Sequence, residues 1–206
     1  MRQLKDSFAF KNRGKMARVL FAPALIALLF STPVVSDNSM QGLALYMVGW
    51  LFFMLYIMFR IWATLYVGGR KDSELQTTGP YSITRNPLYF GTFCLALAMA
   101  CFLKSFSLIV IIFIGFVIYS RLVIKAEEGV LGDIFGEDFK KYCATTPRFF
   151  PSLKQYHSPE VITVKLHGLK TEAKRLWLSV LIPVTAAFIT HLRMAPWWPY
   201  HWFKLP

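Results

Sequence analysis

The chain has 206 residues, of which 55% are hydrophobic and 17% aromatic, while only 17% are charged. A soluble domain carries about 25% charged residues, so the composition excludes an ordinary water-soluble domain and points to a small integral membrane protein. The net charge of +12 is read as the basic bias of cytoplasmic loops rather than as a nucleic-acid footprint.

Five apolar stretches approach the roughly 20 residues that a bilayer core requires. The first, about 18–36, follows the basic segment "MRQLKDSFAFKNRGK". Its apolar run is longer than the core of a signal peptide and lacks an A-x-A end, so it is read as a retained helix. The second covers about 41–59 and can run on through "RIWATLYV". The third covers 87–103, the fourth 106–124 and the fifth 176–192. Cys94, Cys101 and Cys143 suggest neither a disulfide framework nor a metal site.

Lysine and arginine are distributed unevenly. Residues 1–18 hold six, 60–86 hold four and 121–175 hold ten, with Lys104, Arg193 and Lys204 completing the 23. Five spans put the first three groups on one side of the membrane and the last three residues on the other. The positive-inside rule then makes the N-terminus cytoplasmic and the C-terminus external. The tail "APWWPYHWF" fits an interfacial aromatic belt.

Only Lys104 and Ser105 link the third and fourth stretches. So short a link forces an antiparallel hairpin, which brings the segment Arg85–Tyr89 close to Arg121–Glu128. Gly79-Pro80 marks a turn. Pro87 suits the first turn of a helix, with Asn86 as its N-cap. Such a helix start suits a carboxylate. Glu127 and Glu128 follow the fourth apolar stretch directly, where two carboxylates at a helix C-terminus would oppose the macrodipole and call for a cationic partner. The segment "GVLGDIFGEDFKKYCATTP" reads as an amphipathic helix on the membrane surface, ended by "PRFFP". A helix start, a carboxylate pair and aromatic rings at one membrane face would suit a zwitterionic, cationic cofactor such as S-adenosylmethionine, its sulfonium against aromatic faces.

The two stretches resemble the isoprenylcysteine carboxyl methyltransferase and phospholipid methyltransferase superfamily. That family carries a pattern close to H-x-L-V-T-x-G-P-Y-x-x-x-R-H-P-x-Y-x-G, then a short hairpin and E-E-x-x-L-x-x-x-F-G-x-x-Y-x-x-Y. The matching residues are Leu75, Thr77, Gly79, Pro80, Tyr81, Arg85, Pro87, Tyr89 and Gly91, then Glu127, Glu128, Leu131, Phe135, Gly136 and Tyr142. The likeness covers roughly 70–151, flanked by an N-terminal part (1–69) and a C-terminal part (152–206).

The resemblance implies an all-α membrane methyltransferase with a cytoplasmic cofactor site and a lipid-like acceptor entering from the bilayer. It assigns Leu75, Gln76, Tyr81, Asn86, Pro87, Leu88, Tyr89, Glu127 and Glu128 to S-adenosylmethionine. Arg85, Asn86, Tyr89 and Arg121 are the expected catalytic residues. Asn86 and Ser73 stand where the carboxyl methyltransferases have histidine. Val123 stands where they have the arginine that binds the substrate carboxylate, leaving Arg121 as the nearest cation. Any general base would have to be Glu128 or Tyr89, since all four histidines come later. Two other classes are alternatives, one of which, the sterol and steroid reductases, shares the architecture of the superfamily. NADPH-dependent membrane sterol reductases lack the paired motifs. A non-enzymatic transporter or scaffold would carry polar residues within its spans, where only Arg121 is seen.

Overall fold

The computed structural model describes Ala22, Ile26 and residues 28–33, 35–36, 39–67, 74–164, 166–199 and 203–205. Helices dominate. α1 (Met40–Val67) starts where the Ser39 hydroxyl accepts the Gly42 amide at 3.0 Å and runs 28 residues without a proline. At 1.5 Å per residue that is about 42 Å, more than a bilayer core. One stripe, Leu45, Gly49, Phe53, Tyr56, Phe59 and Ala63, is buried. Met40, Met47, Leu51, Met54 and Met58 on the other side are exposed and suit hydrocarbon. Gly49 is required by close approach: a Cβ there would meet the Phe102 ring at 2.8 Å.

After the single turn α2 (Pro80–Ile83), α3 (Pro87–Phe102) forms the centre of the bundle, with Cys94, Ala98, Ala100 and Cys101 each 2% exposed or less. The expected hairpin follows. Lys104, at φ 53°, turns the chain, and the Ser105 hydroxyl accepts the Leu108 amide to start α4 (Phe106–Tyr119).

Here the structure corrects the sequence reading. The helix does not end before the carboxylates. A π-turn, Ser120–Ile124, joins α4 to α5 (Lys125–Thr145) in one helical stretch of 40 residues. Glu127 and Glu128 are therefore interior to a helix, clear of its C-terminal dipole. The first part of the amphipathic segment, up to Phe135, extends the fourth span, and the part after Gly136 is a second helix set off by a break in the backbone, where Gly136 holds φ 53°.

The last span is also longer than expected. α6 (Leu166–Ser179) and α7 (Leu181–Met194) meet at Val180 in one stretch of 29 residues. Met40–Val67, Phe106–Thr145 and Leu166–Met194 are long and apolar enough to cross a membrane, and α3 is a shorter apolar helix of 16 residues. The first expected span lies mostly outside the described residues. Its end is not helical, because Ser31–Pro33 form β1, which pairs in parallel with β2 (Phe203–Leu205).

Two charged anchors lie within the bundle, so Arg121 is not the only charge in the spans. Arg60 of α1 forms a bidentate ion pair with Glu172 of α6, Nε to Oε1 at 2.5 Å and Nη2 to Oε2 at 2.7 Å. Arg193 of α7, fully buried, donates to the Ser31 and Leu103 carbonyls and to the Ser31 hydroxyl. Thr190 donates to the Phe102 carbonyl. These donors satisfy carbonyls at the end of α3, which the bilayer could not hydrate. Ser31, the hairpin tip and the end of α7 thus share one end of the bundle. Residues 74–89 and 125–158 lie at the other.

Candidate cofactor site

A cavity opens at that second end, among the end of α1, the 74–76 segment, α2, the start of α3 and α5. The space between these walls, open mouth included, is about 740 Å³. Leu75, Gln76 and Tyr81 form one wall. Arg85 and the start of α3, Asn86, Pro87, Leu88 and Tyr89, form another. Glu127 and Glu128 complete it from α5. All nine residues expected to bind the cofactor line one space. Of the expected catalytic residues, Arg85, Asn86 and Tyr89 line it and Arg121 does not. Arg121 is exposed on the π-turn, which turns Val123 and Ile124, both 0% exposed, toward the core instead.

The carboxylates have different partners. The Tyr89 hydroxyl donates to Glu127 Oε1 at 2.7 Å. Glu128 lies between two guanidinium groups. Its Oε2 accepts from Arg148 Nε at 2.8 Å and Nη2 at 2.5 Å, and its Oε1 lies 3.1 Å from Arg85 Nε. That last contact is an ion pair without hydrogen-bond alignment, and Arg85 Nε has no hydrogen-bond partner among the described residues. Arg85 also donates through Nη1 to the Cys143 carbonyl at 3.0 Å. The cation that the carboxylate pair called for is thus supplied twice to Glu128, by Arg85 and by Arg148 of the "PRFFP" loop.

Asn86 occupies the N-cap position of α3 but its side chain forms no cap bond. It donates instead to the Arg148 carbonyl at 2.9 Å and, more weakly, toward Glu128 at 3.5 Å. The strip 79–86 is further sewn to 147–158. Arg85 N–H donates to the Pro147 carbonyl, Ser152 N–H to Ile83, and Gly79 N–H to His157 at 2.8 Å. Gly79 holds φ +59°, and a Cβ there would lie 2.3 Å from the Tyr66 ring. Tyr142 donates to the Tyr81 carbonyl at 2.7 Å. Burial, with Tyr142 adding to it and Arg60 opposing, pushes the Tyr81 phenol well above its usual pKa, so it stays protonated.

Val67, Glu74, Leu131, Phe135, Phe139 and Tyr142 also line the cavity. Sequence reasoning matched Leu131, Phe135 and Tyr142 to the family pattern without placing them in the site, and it missed Phe139. The signal was the four-residue spacing of Glu127, Leu131 and Phe135, which shares one helix face.

The fold and the cavity define a polytopic helical membrane protein with a cavity at one end of its bundle, walled by carboxylates, aromatics and the start of a helix. The chain belongs to the phospholipid methyltransferase family, whose model matches residues 38–138. It is 34% identical over 196 residues, 94% of this chain and 90% of the relative, to the nickel-cobalt-cadmium resistance protein NccN of Alcaligenes xylosoxydans xylosoxydans. It is 30% identical over 193 residues, 89% of this chain and 84% of the relative, to the cobalt-zinc-cadmium resistance protein CzcN of Cupriavidus metallidurans. No solved structure matches the chain significantly.

Proposed function

We propose that the chain is an S-adenosylmethionine-dependent methyltransferase that modifies a lipid-like acceptor drawn from the bilayer, with its site on the cytoplasmic face. The observation that carries this reading is the meeting of Tyr89 and Glu127 on the wall of the cavity, since family motifs 38 positions apart converge there.

The donor set fits the cofactor. Carboxylate oxygens of Glu127 and Glu128 suit an ammonium and ribose hydroxyls. The rings of Tyr81, Phe135, Phe139 and Tyr142 suit a sulfonium. Leu75, Leu88 and Leu131 offer apolar surface to a purine. S-adenosylmethionine supplies a methyl group on a positively charged sulfur. The part of the protein is alignment and exclusion of water, which is worth about 7–11 kcal/mol in well-oriented reactions. Tyr89 holds Glu127 in place. Arg148 and Arg85 hold Glu128. An ionised acceptor needs no base, and for a protonated one Glu128 stands at the wall to take the proton. The acceptor, an amine or carboxylate on an apolar tail, reaches the site with its tail still in hydrocarbon, and each methylene kept from water contributes about 0.8 kcal/mol.

The names of the two relatives extend the proposal: the methylated product supports tolerance to divalent heavy metals. Membranes containing the protein, incubated with methyl-labelled S-adenosylmethionine, should yield a labelled lipid-phase product, and membranes with Glu127→Gln should not. Label found only in water-soluble products would overturn the lipid acceptor. A host expressing the wild type should grow on higher cadmium than one expressing Glu127→Gln, and equal growth would remove the metal association alone.

A further inference from the structure

The loop that follows α5, with the short turn after it, carries three large apolar side chains into the open. Phe150 is 62% exposed, Leu153 75% and Tyr156 51%. An exposed apolar cluster marks a surface that something apolar covers. The neighbour between them and α5 shows at what level the loop lies. The Phe149 ring, only 8% exposed, lies against Phe116 of α4 with centroids 4.2 Å apart, and meets Phe93 and Phe90 of α3 at 5.6 and 5.5 Å. Phe116 stands eight residues before Ile124, where the apolar run of the fourth span ends, which is about 12 Å of helix. Phe93 stands six residues inside α3, about 9 Å from its start. The loop thus reaches down past the ends of two apolar helices instead of lying above them.

Its backbone suits that level. Irregular backbone at membrane depth must find its hydrogen-bond partners within the protein. Three successive carbonyls do so: that of Pro147 accepts the Arg85 backbone amide at 2.9 Å, that of Arg148 the Asn86 side-chain amide at 2.9 Å, and that of Phe149 the Thr84 hydroxyl at 2.8 Å. Pro147 and Pro151 bring no N–H that would need a partner, and the Ser152 amide donates to the Ile83 carbonyl. The surroundings are those of a membrane boundary. Phe113, Val117 and Ile118, close to Phe116 on α4, are exposed and suit hydrocarbon. Lys154 is exposed beside Leu153, as a lysine with its stem along acyl chains and its ammonium among headgroups would be. The Tyr156 ring packs on Trp62 of α1, centroids 5.9 Å apart, and tyrosine and tryptophan are the residues that collect at membrane–water interfaces.

We propose that residues 149–156 form a collar that dips into the leaflet at the cofactor-site end of the bundle, with Phe150 and Leu153 among acyl chains and Tyr156 at headgroup level. The collar rests on the chain being a membrane protein and not on the methyltransferase reading. Arg148, at the root of the collar, reaches Glu128, so one wall of the cavity is anchored in lipid as well as in the bundle.

The full chain tests this with one nitroxide label at a time, on Phe150→Cys, Leu153→Cys, Ile118→Cys or Glu160→Cys in a background without reactive cysteine. Each labelled protein is reconstituted into vesicles of phosphatidylcholine and phosphatidylglycerol. Electron paramagnetic resonance reads collisions with oxygen, which concentrates in hydrocarbon, and with a neutral nickel chelate, which stays in water. Ile118→Cys, exposed on α4, marks the lipid value, and Glu160→Cys, exposed beyond the collar, marks the water value. The oxygen-to-chelate ratio at positions 150 and 153 should be several-fold higher than at 160 and approach that at 118. Unchanged melting temperature marks the labelled variants as folded, and Leu153, the most exposed of the three, keeps the test open if Phe150→Cys does not fold. A ratio at 153 equal to that at 160 would place the loop in water. Few collisions with either reagent would place it under another part of the chain or a second copy. Either result would overturn the collar, and neither bears on methyl transfer.

Discussion

The Tyr89 hydroxyl donates to Glu127 Oε1 at 2.7 Å, joining the first turn of α3 to α5 at the wall of the cavity. Two residues 38 positions apart meet because a three-residue link folds the intervening helices back on each other. If the carboxylate holds the cofactor, Glu127→Gln should weaken S-adenosylmethionine binding about 10- to 100-fold, the worth of a charge-assisted hydrogen bond. Tyr89→Phe, which removes one donor to the carboxylate, should weaken it about three- to tenfold. Calorimetry on the detergent-solubilised protein measures both, and unchanged affinity in a folded Glu127→Gln variant would remove Glu127 from the site.

Arg121 supplies the contrast. It does not line the cavity, so Arg121→Gln should leave cofactor affinity within about twofold of wild type. A loss comparable to that of Glu127→Gln would show that the π-turn arginine reaches the cofactor after all.

Gly79 is held from two sides. Its φ of +59° disfavours any side chain, and the Tyr66 ring occupies the place of a Cβ. Gly79→Ala should therefore destabilise by more than the ~1–2 kcal/mol of the backbone conformation alone. Because the strain and the clash are separable, adding Tyr66→Ala should restore part of the lost melting temperature. If the double variant melted lower than Gly79→Ala, the ring would be a support rather than an obstruction.

Glu172 is the buried partner of Arg60, 5% exposed at its side chain. Glu172→Gln leaves a guanidinium in the bundle without its counterion, and a loss of about 3–5 kcal/mol is expected. The double change Arg60→Met with Glu172→Leu should recover most of it, since the attraction only offsets the desolvation of the two charges. Thermal melting in detergent tests both.

The distribution of lysine and arginine along the chain makes the orientation a testable expectation. In a background without reactive cysteine, Ser158→Cys beside the cofactor site should react only with reagent applied from the cytoplasm. Pro196→Cys, at an exposed position just beyond α7, should react only from outside. The reverse pattern would invert the protein in the membrane.

The hairpin was legible because its signal is local: two apolar runs, two intervening polar residues, and a proline at the first helical position. The walls of the cavity were legible through a resemblance that names residue types at fixed spacing, so Leu75, Tyr81, Tyr89 and Glu127 fell where expected. Three things were not. Arg60 looked like a loop charge, because its partner lies 112 positions away and no local pattern reveals it. The continuation of α4 into α5 was hidden by the change from apolar to polar sequence, which mimics a helix end when hydropathy alone sets the boundary. Asn86 stands where a capping residue belongs, yet the loop at Arg148 competes successfully for its amide.

The π-turn at Ser120–Ile124 also has a geometric meaning. A π-turn takes one more residue than an α-turn, and each residue of an α-helix advances the azimuth by about 100°. The extra residue is thus absorbed: removing one residue from 120–124 would let an unbroken α-helix deliver Glu127 and Glu128 at nearly the same azimuth. Removing one residue from the α-helical turns between 120–124 and Glu127 while the π-turn persists would swing both carboxylates by about 100°, away from Tyr89 and Arg85. The π-turn is the one place on this helix where the chain can lose a residue and keep the aim of the carboxylates, and elsewhere between the hairpin and Glu127 the count of residues, rather than their identity, holds that aim.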